Sequence, residues 1–338
     1  MSSISYPFPE VPAPATTVEV SPGIHWLSMP LPFALDHINL WLVGDGDGWT
    51  IVDTGIGNDQ TRALWDRLLE RFKQIRRVVL THYHPDHAGN AEWLCTRFGV
   101  DLWTTQGEYL TAHAVRASAA GYTTEAVLKV FQRNGLDAGK HAAMSGRGNR
   151  YAVLVPGFPH SYRRIIDGDV VKIGQHGWRA IVGHGHAPEH LSLYCEDLNV
   201  LIAGDMLLST ISTNVSVWSI DPEGDPLRLF LDSIARYREL PADVLVLPSH
   251  GKPFRGAHER VDQLERHHRE RFAELKQELK KGQRSAGELL PVLFRRPLDA
   301  HQTFFAMGEA IAHLHYLYYA GEAKRAAGAD GIMRYAAV

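Results

Sequence analysis

The sequence is poor in cysteine and has no long apolar run. Cys95 and Cys195 are the only cysteines in 338 residues, and they form no CxxC pair, so we interpret both as buried thiols in a reducing cytosol. No apolar run reaches the ~20 residues that cross a bilayer. The N-terminal segment lacks the basic and apolar regions of a secretory signal. These absences predict a cytoplasmic protein with no membrane partner.

Charge is nearly balanced, and several common catalytic motifs are missing. The net charge is −3 at pH 7 and the sequence pI is about 6.7, which gives no global positive field for nucleic acid. No segment resembles GxSxG, a P-loop, or GxGxxG between a strand and a helix. The chain length fits one large domain with a smaller one, or two domains.

A dense group of ionisable side chains occupies "LTHYHPDHAGN", residues 80–90. It follows an apolar run typical of a buried strand and precedes a helical pattern, so it lies at a strand end, where α/β folds build their sites. His82 and His84 are two apart and point the same way on an extended backbone. Imidazole and carboxylate suit zinc and similar divalent ions. Without a metal, crowding them with Asp86 and His87 costs folding free energy. The pattern predicts a metal site.

The remaining ligands of such a site are predicted at other strand ends. A dinuclear site needs about seven protein ligands, and the first cluster supplies at most four. "VGHGHAPEH" (182–190), "IAGD" (202–205) and "VLPSH" (246–250) each end an apolar strand and offer a His or an Asp beside Gly, Pro or Ser, where the backbone turns sharply.

Five motifs in order resemble those of metallo-β-lactamase-fold hydrolases. They are "DTG" (53–55), "HYHPDH" (82–87), "GHGHAPEH" (183–190), "AGD" (203–205) and "SHGKP" (249–253). The resemblance covers about residues 30–255 and implies an α/β fold, the four-layer αββα sandwich. It implies two divalent ions, zinc first, with iron or manganese as alternatives. The implied roles are His82, His84 and His186 on one metal, Asp86, His87 and His250 on the other, Asp205 between the two, and Asp53 behind the ligands to orient them.

Two histidines in the third motif leave a choice. His184 and His186 both follow a glycine. We favour His186, because the family places its ligand between a glycine and a small residue followed by proline. His190 stays open between a structural hydrogen bond and a catalytic group beside the substrate.

The resemblance also divides the chain. Residues 1–255 would form the catalytic domain, with a helical insertion at about 105–165 that we expect to cover the site and to influence substrate choice. Residues 256–338 predict three helices and a short final strand. They resemble the small, mostly helical, winged-helix-like domain of the lactamase-β-2-like group. That module either serves in packing or dimerisation, or binds nucleic acid. Its long helix lacks a basic stripe on one face, so packing or dimerisation is favoured over nucleic-acid binding.

The implied activity is metal-dependent hydrolysis of an ester, thioester or lactone, a small-molecule substrate. A hydroxide shared by the two ions would attack, and Asp86 would also pass a proton to the leaving group. The alternative is a nuclease on single-stranded RNA or DNA, for which Arg147, Arg150, Arg163 and Arg164 supply some positive charge. A non-catalytic metal-binding regulatory protein is the third hypothesis, and a homodimer is left open.

Overall fold

The computed structural model describes residues 4–32, 35–146 and 148–338. Within them the strands are β1 (Val18–Ser21), β2 (Ile24–Pro30), β3 (His37–Asp45), β4 (Gly48–Val52), β5 (Ile75–Val79), β6 (Leu102–Thr104), β7 (Tyr162–Arg164), β8 (Val170–Ile173), β9 (His176–Gly183), β10 (His190–Cys195), β11 (Val200–Gly204), β12 (Leu245–Pro248), β13 (Ala323–Ala327) and β14 (Met333–Ala337). The helices are α1 (Asp59–Leu69), α2 (Pro85–Ala88), α3 (Ala91–Phe98), α4 (Gln106–Arg116), α5 (Thr124–Arg133), α6 (Ala138–Met144), α7 (Arg150–Leu154), α8 (Pro226–Ala235), α9 (Ala257–Lys280), α10 (Ala286–Leu293) and α11 (Ala300–Tyr319), with a 3-10 turn at Arg236–Glu239. Among the residues described, no helix is long and apolar enough to cross a membrane.

The chain divides into two compact units. The first comprises Met1–Ala117, Arg150–Thr213 and Ser233–Val261, and the second comprises Ser118–Asn149, Asn214–Asp232 and Asp262–Val338. The second unit therefore takes α5 and α6 from the predicted insertion, while α4 and α7 belong to the first. The domain boundary at 255/256 and the covering role of the insertion stay predictions.

Two sheets form the centre of the first unit. One has seven strands in the order β1 to β7, antiparallel up to β4 and parallel from β4 onward. The other has the order β12-β11-β10-β9-β8, with only β11 and β12 parallel. Apolar side chains from both sheets share one buried cluster, including Trp26 and Trp41 from the first and Trp178 and Leu193 from the second. The sheets therefore pack face to face.

Helices cover the outer face of the seven-stranded sheet. A second buried cluster joins Leu40 and Ile51 of that sheet to Trp65 of α1 and Leu94 of α3. Helix α1 is capped at its N-terminus by Asn58, whose side chain accepts a hydrogen bond from the Thr61 N–H and so satisfies a donor that has no partner within the helix.

Strand direction brings the predicted motifs to one edge of the sandwich. The parallel strands β4 and β5 end just before Asp53 and His82. In the other sheet β9, β11 and β12 end at the edge where the antiparallel β10 begins. The Leu191 N–H donates to the Thr81 carbonyl at 2.8 Å, which ties the two sheets together at this edge.

The second unit contains the predicted C-terminal helices and a hairpin. Helices α10 and α11 each begin with a capping box, at Ser285 and at Asp299. The final strand predicted from the sequence is β14, and it pairs with β13. The residue pattern predicts that the last helix spans residues 301–326, but α11 ends at Tyr319, where the Ala320 and Gly321 N–H groups close its final turn. Residues Ala323–Ala327 form β13 instead. The winged-helix form of this region stays a prediction.

A buried histidine pair lies in the same unit. Nδ1 of His268 is 3.1 Å from Nε2 of His313, and Nδ1 of His313 donates to the Glu309 carbonyl at 2.8 Å. Both residues are 1% exposed. Burial, followed by the neighbouring imidazoles, lowers the pKa of His268 to about 2, and burial also lowers that of His313 to about 4.

This pair makes stability depend on pH. A histidine in the unfolded chain binds a proton near pH ~6.5, whereas in the folded protein His313 and His268 do so only near pH 4 and pH 2. The contribution of the pair to the free energy of unfolding is therefore complete above pH ~6.5 and falls as the pH decreases. Each contributes a slope of up to ~1.4 kcal/mol per pH unit in that range. We expect His313→Gln to flatten the dependence of the unfolding free energy, measured with urea from pH 7 to 4.5. His176→Gln, at the surface of the first unit, is the control; equal slopes in both variants would contradict the prediction.

Candidate metal centre

Four predicted ligands converge at the sheet edge. His82 Nε2 lies 2.9 Å from His84 Nδ1 and 3.2 Å from His186 Nε2. Asp205 Oδ2 lies 3.4 Å from His186 Nε2. With one ligand atom each, the four side chains lie within 4.8 Å of one another. Three imidazoles and a carboxylate at this spacing can hold one divalent ion.

The other three predicted ligands form a second group beside the first. Asp86 Oδ2 lies 3.4 Å from His250 Nε2 and 3.7 Å from His87 Nε2, and the three ligand atoms lie within 4.8 Å of one another. The remaining oxygen of Asp205, Oδ1, lies 3.6 Å from His87 Nε2 and 3.7 Å from His250 Nε2. Asp205 therefore presents one oxygen to each group.

Asp53 orients ligands of both groups from behind. Its Oδ2 accepts from Nδ1 of His87 at 2.8 Å and from the Thr81 hydroxyl at 2.8 Å. That hydroxyl lies 3.1 Å from Nδ1 of His82. These bonds place the protons on Nδ1 and leave both Nε2 atoms as ligands, the arrangement expected behind metal-binding histidines. Asp53 has φ +60°, a strained conformation of the kind found at functional sites.

His190 is placed behind the ligands. It is fully buried, and its Nε2 accepts a hydrogen bond from the Asp205 N–H at 3.0 Å. Gly204, with φ +56°, makes this approach possible, because a Cβ there would lie 2.4 Å from the ring. Of the two roles left open for His190, the geometry favours the structural hydrogen bond over contact with a substrate.

The structure brings His186, and not His184, into the cluster. His184 is exposed, and its Nδ1 donates to the Pro188 carbonyl at 2.7 Å. His186 is 7% exposed and shares the first group with His82. The glycine between the two histidines, Gly185, has φ +99°, and this turn separates the directions of the two side chains.

The charges of the site suit divalent cations. Burial, and then His186, lower the pKa of His84 to about 3, which keeps it neutral. Burial alone would lower the pKa of His87, but Asp53, Asp86 and Asp205 raise it to about 10. Metal binding would displace that proton.

Two buried atoms of the site lack partners. Within the described part of the chain, His87 Nε2 and Asp205 Oδ1 are buried and accept or donate no hydrogen bond. A buried polar atom without a partner costs free energy. Both atoms face the second group and lie 3.6 Å apart, so the residues present fit a divalent ion there.

Sequence reasoning missed three polar side chains that form hydrogen bonds at the site. Thr81 adjoins the second motif, so its place before His82 is a usable signal. Asn39 of β3 donates to the Pro248 and Gly251 carbonyls beside His250. Glu108 of α4 contacts two ligand segments. Neither Asn39 nor Glu108 has a local signal, because their partners are distant in sequence.

Removing one imidazole at a time should show which histidine of the third motif binds metal. We expect His186→Ala to lose metal from the first group, because it deletes one of three nitrogen ligands. His184→Ala should keep the wild-type metal content, since that side chain bonds outside the cluster. Elemental analysis of both purified variants after dialysis measures the difference. Metal loss in His184→Ala alone would reverse the assignment.

Known proteins and protein families are similar to this chain. Residues 34–250 match the Metallo-beta-lactamase superfamily, and residues 272–338 match the "Metallo-beta-lactamase-like, C-terminal domain" family. The crystal structure of a beta-lactamase domain protein from Burkholderia ambifaria is 46% identical, covers 99% of this chain and 98% of its own, and superposes with a TM-score of 0.93. The family and fold predicted from the five motifs are confirmed.

Two curated relatives are hydrolases by name. A probable metallo-hydrolase of Bacillus subtilis is 25% identical over 86% of this chain and 91% of its own length. An atrochrysone carboxyl ACP thioesterase of Aspergillus fumigatus is 22% identical over 82% of this chain and 75% of its own. With its buried cluster of histidines and aspartates, the chain belongs to the metallo-beta-lactamase superfamily, and it is a metallo-hydrolase of that family.

Proposed function

We propose that the protein hydrolyses an ester, thioester or lactone with two divalent ions, of which zinc is the first choice and iron or manganese the alternatives. His82, His84 and His186 would hold one ion, and Asp86, His87 and His250 the other. Bound there, the ions would lower the pKa of water toward about 7 and stabilise negative charge on the carbonyl oxygen.

The position of Asp205 carries the proposal. Its two oxygens face different ligand groups, at 3.4 Å from His186 Nε2 on one side and 3.6 Å from His87 Nε2 on the other. One carboxylate can therefore hold two ions side by side. The His190 ring fixes its backbone, so this side chain is oriented by the fold.

Asp86 is the residue best placed to move a proton. Its side chain is 18% exposed, against 0% for His87 and 4% for His250, so a leaving group can reach it. Burial would raise the pKa of Asp86, but His87 and His250 lower it to about 2. Asp86 is therefore a carboxylate at neutral pH, and we propose that it would hydrogen-bond the attacking water and pass a proton to the leaving group.

A protein nucleophile is not needed. Both cysteines are buried and free, and burial raises the pKa of Cys95 to about 12, so neither supplies a thiolate. Because neither cysteine is available as a nucleophile, water is the nucleophile in this proposal. The thioesterase among the relatives supports an acyl substrate.

The nuclease alternative has weaker support. Arg147 lies outside the described residues. Arg163 is paired with Asp101, with Nε 2.8 Å from Oδ2. Arg164 lines a small cavity of about 180 Å³ together with Glu189, Asp167 and Arg236, and the last two form an ion pair. These acidic neighbours reduce the positive charge that a single-stranded nucleic acid needs.

Loss of the Asp205 charge, which faces both ligand groups, should reduce metal binding and turnover more than loss of the Asp53 charge, which orients ligands. Asp205→Asn keeps the shape but removes the negative charge facing both groups, so one ion should bind much more weakly and turnover should fall. Removal of a group that only orients ligands typically costs ~10–100-fold, so Asp53→Asn should lose less than Asp205→Asn. Metal content and turnover of the two variants measure this. Two ions and full activity in Asp205→Asn would overturn the shared-ligand role.

A substrate panel tests the reaction class. The zinc-loaded chain is assayed with an aryl ester, an acyl thioester, a lactone and a single-stranded RNA oligonucleotide at low and high salt. We expect turnover of an acyl compound with little salt dependence. Cleavage of RNA alone, with affinity that falls steeply with salt, would favour the nuclease. No turnover by metal-loaded protein would favour the regulatory hypothesis.

A further inference from the structure

A buried carboxylate outside the ligand set joins two ligand segments. Glu108, in the first turn of α4, is 1% exposed. Its Oε2 accepts a hydrogen bond from the Tyr83 N–H at 2.9 Å, and its Oε1 accepts one from the Glu189 N–H at 2.7 Å. Both oxygens are therefore used on backbone groups.

The two N–H groups belong to the segments that supply the first ligand group. Tyr83 lies between His82 and His84, so its peptide determines where both rings stand. Glu189 follows His186 by three residues in the loop before β10. Buried N–H groups in irregular segments need acceptors, and one side chain supplies the acceptor for both.

A hydroxyl from the other end of the insertion bonds to the same residue, Tyr83. Tyr151 of α7 donates from its hydroxyl to the Tyr83 carbonyl at 2.6 Å. The Tyr83 residue is thus held at its N–H by α4 and at its C=O by α7. Both helices lie in the first unit.

Glu189 also accepts hydrogen bonds from residues at the start of α4. Its Oε2 accepts from the Gly107 N–H at 2.8 Å, and its carbonyl accepts from the Thr105 hydroxyl at 2.7 Å. A Cβ at position 107 would lie 2.9 Å from Glu189 Cγ. A carboxylate is favoured at a helix N-terminus, and the glycine gives it room.

We propose that Glu108 is a positioning residue which, with Tyr151, holds His82, His84 and His186 in the geometry of a single ion site. The proposal rests on the proposed function, because it takes these three histidines as ligands. We call the contacts of Glu108 and Tyr151 with the two segments the clamp.

The bonds of the clamp are made with the segments that carry the first ligand group. His87 is oriented by Asp53, and Nδ1 of His250 donates to the His37 carbonyl at 3.0 Å. Neither bond involves α4 or α7. Loss of the clamp should therefore weaken one ion site and leave the other.

Glutamine cannot replace the carboxylate at position 108. It offers one acceptor oxygen, and its NH₂ would face a backbone N–H, which leaves a buried donor unsatisfied. Burial raises the pKa of Glu108, and the N–H groups of Glu189 and Tyr83 oppose that rise, because both oxygens can accept these hydrogen bonds only in the ionised form. An isolated buried carboxylate is unfavourable, so its two hydrogen bonds are what retain it.

The test compares metal affinity across matched variants of the full chain. Wild type, Glu108→Gln, Tyr151→Phe and the control Glu309→Gln are loaded with zinc and titrated with a chelator, and bound zinc is counted. Glu309 is a partly buried carboxylate of the second unit, bonded to Asn214. We expect Glu108→Gln to hold one ion ~10–100-fold more weakly and the other unchanged, Tyr151→Phe to show a smaller loss at the same site, and the control to match wild type.

Visible absorption of the cobalt-loaded proteins gives a second readout, since the bands depend on ligand geometry and not on stability. The clamp is supported if Glu108→Gln changes the bands of one site only. Wild-type affinities and spectra in both Glu108→Gln and Tyr151→Phe would overturn it, as would equal zinc loss in Glu309→Gln. If Glu108→Gln does not fold, Tyr151→Phe, which lacks only a hydroxyl, decides alone. A wild-type chain that binds no divalent ion would instead overturn the proposed function, and the clamp with it.

Discussion

The Asp205 carboxylate, facing two groups of buried imidazoles, sets the geometry on which the site depends. Its place is determined by backbone: Gly204 turns with a positive φ, its carbonyl accepts from the Ser249 N–H, and the His190 ring receives the Asp205 N–H. Each contact joins a different strand end of the five-stranded sheet. The sheet edge therefore fixes the carboxylate that faces both ligand groups.

The amino-acid sequence predicts what is encoded over short distances. The second motif lies within six residues, and its strand and helix flanks show in the apolar pattern, so a metal site is predicted from these residues alone. The choice of His186 over His184 comes from the family pattern, and the turn at Gly185 explains it physically. The strands follow from the alternation of apolar segments and turn residues, whereas the fold is what the resemblance of the five motifs implies.

Long-range partners cannot be predicted in this way. Glu108 looks like any helix-favouring residue in the first turn of a helix, and its partners are 25 and 81 positions away. Asn39 reaches carbonyls more than 200 positions away. His190 lies in a ligand-rich loop, so only burial and the bond to Asp205 distinguish it from a ligand. The residues of β13 continue the helical pattern of the preceding segment, but they form a strand because they pair with β14.

The insertion combines two tasks that the residue pattern alone does not separate. Its ends, α4 and α7, hold the peptide at Tyr83 on both sides, so they are part of the support of the ligands. Its middle, Ser118–Asn149, belongs by its contacts to the second unit. Changes in the middle need not move Glu108 or Tyr151, whose bonds are made within the first unit. Substitutions in residues 118–149 could therefore change any effect that this segment has on substrate choice. The first ligand group would keep its geometry.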